Sequence, residues 1–112
     1  MKKVKALTER QILAEAGRVL DIEKRGLESL RKALNKDFLS AVDLFFNCSG
    51  RVIVIGIGKS GLIGRKLTAT FTSTGTPAVF MHPAEAFHGD LGLVGPTDVI
   101  LAMSFSGESK EV

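Results

Sequence analysis

A chain of 112 residues with 45% hydrophobic content has room for one domain around one small core. Its formal charge of +3 includes basic residues gathered at the start (Lys2, Lys3, Lys5, Arg10), with no aromatic residues between them; that is a solvated basic tail rather than a nucleic-acid surface. Cys48 stands alone, so a disulfide framework and a cysteine zinc site are excluded, and no signal peptide or apolar run of membrane-spanning length is present. A cytoplasmic protein with neither nucleic acid nor membrane as partner is the expectation.

Thr8-Glu9-Arg10-Gln11 fits a capping box, with a polar side chain three residues after a threonine N-cap. Behind it Ile12, Ala16, Val19, Leu20, Leu27, Leu30 and Leu34 recur at helical spacing, although Glu23 interrupts the stripe and Gly26 weakens its middle. One long helix from about Glu9 to Leu34 is expected. Its apolar stripe needs a partner, either its own sheet or another subunit. Asn35 or Asp37 can cap a second helix through Phe38, Ala41, Val42, Phe45 and Phe46, which Ser49-Gly50 ends. Cys48 reads as a small apolar residue near that helix end.

Arg51 opens the central stretch of the chain. Val52-Ile53-Val54-Ile55 is a run of β-favouring apolar residues, as a buried parallel strand requires. It enters Gly56-Ile57-Gly58-Lys59-Ser60-Gly61, and Ile63, Leu67, Thr70, Phe71 and Thr74 then mark a helix. Free backbone N–H groups and the helix dipole make such a loop an anion site. Ser73-Thr74-Gly75-Thr76-Pro77 stops the helix, Ala78-Val79-Phe80-Met81 is a second short strand, and Ala84 to Phe87 make one helical turn. His88-Gly89-Asp90-Leu91-Gly92 has a loop's composition, and Gly95-Pro96-Thr97-Asp98 turns into a third strand, Val99-Ile100-Leu101-Ala102-Met103. Ser104-Phe105-Ser106-Gly107-Glu108-Ser109 follows as a second loop opening a helix, with serines where the first has glycines.

The order predicts an α/β fold: a three-layer, doubly wound parallel sheet of flavodoxin-like plan, preceded by N-terminal helices. Residues 1–50 form the helical segment and residues 51–112 the sheet region. Right-handed crossovers can place the first strand between the second and third; on the assumption of that order, the two loops flank a topological switch point, where open α/β sheets bind ligands.

Three anions compete for this crevice. The first loop matches the dinucleotide fingerprint G-x-G-x-x-G letter for letter, but the acidic residue expected at the end of the second strand is replaced by His82-Pro83. A P-loop fails, because Ile53 stands where its first glycine belongs. A phosphate monoester fits the donors present: Ser104, Ser106 and Ser109 around one turn, Ser60 across the crevice, and backbone N–H groups at Gly58 and Gly107. The plain alternative is that the serines only cap a helix.

Ser104-x-Ser106-Gly107-Glu108-Ser109 resembles the phosphosugar-binding signature of the sugar isomerase (SIS) domain family. The blocks at Gly56–Gly61, Ser73–Pro77, His82–Ala86 and His88–Gly92 are similar to those of its arabinose-5-phosphate isomerase group, and the likeness runs through the whole chain. It implies an aldose–ketose isomerase interconverting D-ribulose 5-phosphate and D-arabinose 5-phosphate through an enediol, feeding 3-deoxy-D-manno-octulosonate synthesis for lipopolysaccharide. It also implies a homo-oligomer, a tetramer in the complete protein. Such proteins continue beyond this point through the rest of the SIS sheet, so residues 51–112 are expected to be an N-terminal part of the domain, truncated after the third strand and inactive alone.

By resemblance Lys59 and Glu111 match catalytic positions. Lys59 is a cation in an anion-binding loop, suited to a developing enediolate or to phosphate, and Glu111 lies one turn into the expected third helix. His88, between Phe87 and Gly89 in a loop able to reach the site or a neighbouring subunit, is the third catalytic candidate. His82 before Pro83 reads as a strand end that packs. A metal held by His82, Glu85, His88 and Asp90 lacks a recognised ligand spacing, and isomerisation requires no cofactor, so neither is expected. A non-catalytic phosphosugar-binding module is the second reading.

Overall fold

The computed structural model describes residues 6–108, 110 and 112. Lys2, Lys3 and Lys5 of the basic tail, and Ser109 and Glu111 of the second loop, lie outside the described residues. The chain divides into two compact units, Met1–Leu39 and Ser40–Val112.

The first unit is dominated by helix α1 (Glu9–Ala33). Its start is the expected capping box: the Thr8 side chain accepts from the Gln11 N–H, and the Gln11 side chain accepts from the Thr8 N–H at 2.9 Å. Helix α2 (Lys36–Phe46) begins under Asn35, whose Oδ1 accepts from the N–H groups of Asp37 at 2.9 Å and Phe38 at 3.3 Å. Of the two caps the sequence offers, the chain uses Asn35.

The second unit holds a three-stranded parallel sheet of β1 (Val52–Gly56), β2 (Ala78–Met81) and β3 (Val99–Met103) in the order β2-β1-β3. Ile53 pairs with Val79 on one side and Ile100 on the other, and Val54 with Phe80 and Leu101. β1 is buried over its whole length, which explains its unbroken apolar run. The remaining elements are helix α3 (Gly58–Ser73), the single-turn helix α4 (Pro83–Phe87) and a 3-10 turn over Asp90–Leu93. That turn replaces the plain loop expected across His88–Gly92. Gly89, at φ +127°, breaks the chain direction ahead of it.

The two faces of the sheet are covered by different elements. α3 lies on the face carrying Val54 and Phe80: a Cβ built on Gly64 would stand 3.1 Å from Val54 Cγ1 and 3.2 Å from the Phe80 ring. Phe45 of α2 meets Phe71 of α3 with ring centroids 5.8 Å apart, so Phe45 packs against the helix that covers the sheet. Phe46 is 86% exposed. On the other face Ile53, Ile55 and Met81 pack with Ala86 of α4 and with Val94. With connections on both faces, the sheet is doubly wound, as the order of elements predicts.

The strands are tied at their N-terminal ends by a pair the sequence reading missed. The Asp98 carboxylate, with its side chain only 4% exposed, accepts from the Arg51 guanidinium at 3.0 Å and from the backbone N–H groups of Arg51 at 2.7 Å and Gly95 at 2.8 Å. Arg51 also donates to the Leu93 carbonyl at 2.6 Å. This clamp fixes where β1 and β3 start, and hence where their far ends open.

Candidate functional site

The glycines of the first loop bring α3 close to β1. A Cβ on Gly61 would lie 2.7 Å from the Gly56 carbonyl oxygen, and one on Gly56 would lie 3.1 Å from the Gly61 nitrogen. Gly58 takes φ +59°, a left-handed conformation that suits glycine. The three glycines of G-x-G-x-x-G therefore serve a tight strand-to-helix turn, whatever ligand it meets.

Helix α3 starts earlier than the sequence suggests, at Gly58, so Lys59, Ser60 and Gly61 belong to its first turn. Its N-cap is Ile57, with no side chain capping it. The Gly61 N–H already reaches the Ile57 carbonyl at 3.2 Å, so the earlier N–H groups of the turn are the ones a helix leaves without an intrahelical partner. Together with the dipole and the Lys59 ammonium they favour an anion at this end.

Ser104 and Ser106 fold the second loop with their own side chains. Ser104 Oγ accepts from the Gly107 N–H at 3.0 Å, and Ser106 Oγ accepts from the Glu108 N–H at 3.1 Å. Gly107 takes φ +72°. The expected helix opening at this loop is not seen: among the described residues from Ser104 onward, none is helical. The left-handed glycine and the two serine-bonded turns hold the backbone away from helical geometry.

Both loops line one cleft of about 310 Å³ beyond the carboxyl ends of β1 and β3, between Ile57, Lys59, Ser60, Met103, Ser104, Phe105 and Ser106. Four of the sequence-predicted residues are thus brought together: Lys59, Ser60, Ser104 and Ser106. Gly58 and Gly107 shape the two turns. His88 is the C-cap of α4, exposed, and is not among the residues lining this cleft. The apolar walls Ile57, Met103 and Phe105 were not singled out from the sequence. Their signal is positional, since each directly adjoins a glycine or serine of the two loops.

A larger cleft, about 620 Å³, opens at the opposite end of the strands, between Asp43, Asn47, Cys48, Thr97 and Asp98 among others. Its charged residues are carboxylates, so it is unsuited to an anion. Among the described residues no group of three or more His, Cys, Asp or Glu side chains is arranged to hold a metal, and no helix is long and apolar enough to cross a membrane.

The model of the SIS domain family matches residues 45–112. The chain belongs to that family. It is 56% identical over 99 residues to arabinose 5-phosphate isomerase KdsD of Yersinia pestis, a match covering 88% of this chain and 30% of that protein. The protein of the same name from Salmonella typhi matches with the same identity and coverage. The SIS chain therefore spans about 30% of the length of these curated relatives. An E. coli CFT073 protein solved in complex with arabinose 5-phosphate superposes with a TM-score of 0.86 at 39% identity, covering 94% of this chain and 56% of the other.

Proposed function

We propose that this SIS chain is the phosphosugar-binding part of an aldose–ketose isomerase interconverting D-ribulose 5-phosphate and D-arabinose 5-phosphate. The observation that carries the reading is the convergence of Lys59, Ser60, Ser104 and Ser106 on one cleft at the switch point of the sheet. The identity to two proteins named arabinose 5-phosphate isomerase supports the choice of sugar. The product is one that 3-deoxy-D-manno-octulosonate and lipopolysaccharide synthesis uses. A cytoplasmic, self-associated enzyme belongs to the same reading, with the long amphipathic helix α1 as the candidate for self-association.

The chemistry moves a proton between C1 and C2. A base takes the proton from the carbon beside the carbonyl and an enediolate forms; a second proton passes from the hydroxyl oxygen on that carbon to the former carbonyl oxygen, and the first returns to the neighbouring carbon. The serine hydroxyls and the uncapped start of α3 hold the phosphate. Lys59 supplies positive charge to the phosphate or to the developing enediolate. Glu111 acts as the base, and His88 serves proton transfer from its own or a neighbouring subunit. No cofactor takes part.

A second reading is a non-catalytic phosphosugar-binding module, because the serines and the uncapped start of α3 that line the cleft suffice to hold a phosphate without any acid–base group. Turnover decides between them. The 112-residue chain and a version extended through the rest of the domain are assayed on D-arabinose 5-phosphate, each as wild type and as Glu111→Ala. Turnover by the longer protein that Glu111→Ala abolishes supports the isomerase. Binding of the sugar phosphate without turnover by the longer wild-type protein establishes the module.

A further inference from the structure

α4 is one turn long, far too short to form on its own propensity. Its course is imposed from both ends and from beneath. Beneath, Pro83 is fully buried and Ala86 is 8% exposed, packed with Ile53, Ile55 and Met81. At its C-terminal end the His88 N–H donates to the Glu85 carbonyl at 3.0 Å. At its N-terminal end stands His82, in extended conformation, whose ring Nδ1 accepts from the Ala84 N–H at 3.2 Å. A backbone N–H is always a donor. Nδ1 must therefore present its lone pair, and the neutral ring carries its proton on Nε2.

Serine, threonine, aspartate and asparagine ordinarily make such caps, and an imidazole in this role fixes a tautomer as well as a helix end. His88 ends the same turn that His82 begins, so whatever orients α4 orients His88. We infer that His82 is a positioning residue, which places His88 by capping α4 through Nδ1 and does not itself act on the sugar. The inference rests on the reading of His88 as a proton-transfer group.

Two measurements test it. The first requires no substrate: nitrogen-resolved NMR of the imidazole rings at neutral pH. The expected result is His82 as the Nε2–H tautomer with a hydrogen-bonded Nδ1, and an Nδ1–H tautomer overturns the inference. The second is a double-mutant cycle on D-arabinose 5-phosphate turnover in the complete protein. His82→Ala is expected to lower kcat about tenfold with KM changed less than twofold. His82→Asn, which keeps a capping oxygen, restores most of the rate. Adding His82→Ala to His88→Ala costs nothing further, because a residue acting through His88 has nothing left to position. An unchanged rate in His82→Ala, or independent multiplicative losses in the double variant, overturns the positioning role. Absence of turnover in the wild type removes the isomerase reading and the positioning role with it, while the tautomer result stands or falls on its own.

Discussion

A Cβ added to Gly61 would stand 2.7 Å from the backbone carbonyl oxygen of Gly56, a contact that only movement of the backbone relieves. Gly61→Ala should therefore push α3 away from β1 and destabilise the fold by about 1–3 kcal/mol, the usual cost of overpacking. Gly26 is the control, since a Cβ there meets nothing within 4 Å and its backbone is helical. Gly26→Ala should stabilise α1 by about 1 kcal/mol. Denaturant unfolding of the two variants reads both, and equal effects would show that the approach of Gly61 to Gly56 is not a constraint.

The clamp between Arg51 and Asp98 gives the fold an acid-sensitive point. The Arg51 guanidinium and the N–H groups of Gly95 and Arg51 hold the Asp98 carboxyl down to about 2, from an ordinary value of 3.8. A carboxylate whose folded pKa is depressed contributes stability that is present in full above its unfolded value. That contribution is lost as pH falls through the folded one. Unfolding followed from pH 7 downwards should thus show it disappearing between about 4 and about 2. Asp98→Asn should lower the melting temperature at pH 7 and flatten this part of the profile. A variant whose acid limb matches the wild type's would remove Asp98 from the account.

The elements that sequence made legible are those specified by local chemistry. The β-branched apolar run Val52–Ile55 reads as a strand buried on both faces, the Thr8-x-x-Gln11 pattern as a cap, and Gly58 and Gly61 as a tight turn. The two loops flank one crevice because the sheet has the strand order assumed for it, with the first strand in the middle, an order that right-handed crossovers permit but do not dictate. Relationships between residues far apart in sequence stayed hidden. Nothing local to Arg51 announces Asp98, which lies 47 residues on, and nothing local to Asp90–Leu93 distinguishes a 3-10 turn from a loop. The serine loop is expected to open a helix because it repeats the strand–loop–helix plan of the first loop. The same hydroxyls also close short turns, and with Gly107 at φ +72° the backbone takes that alternative.

β3 pairs with β1 on one side, and among the described residues no strand pairs with its other side. Its sequence, Val-Ile-Leu-Ala-Met, has no charge and no proline to discourage another chain from adding there, and Ile100 is 49% exposed. The 112-residue chain should therefore associate as its concentration rises. Ala102→Lys, at an exposed position of the same strand, should reduce this. Sedimentation of the two proteins across a concentration series checks it. A monomeric wild type with a single cooperative thermal transition would show that the edge is harmless.

Among the described residues, Lys59 is the one cation that the cleft shares with its hydroxyls, so it should account for most of the charge dependence of phosphate binding. A hydrogen bond to a charged group contributes about 1.5–3 kcal/mol, and exposure of the ammonium places Lys59 at the lower end, about a tenfold loss of affinity in Lys59→Gln. Ser106→Ala should cost less, about threefold, because it removes a neutral donor while also loosening the turn that its oxygen closes at the Glu108 N–H. Lys66→Gln, exposed on the same helix but outside the cleft, should cost nothing. Titration calorimetry with D-arabinose 5-phosphate at two salt concentrations separates these cases. The wild type should lose affinity with added salt more steeply than Lys59→Gln, since screening acts on the charge that the variant lacks. Equal salt slopes would mean that the phosphate is held by the backbone N–H groups and serines alone, and that Lys59 is free to meet the enediolate.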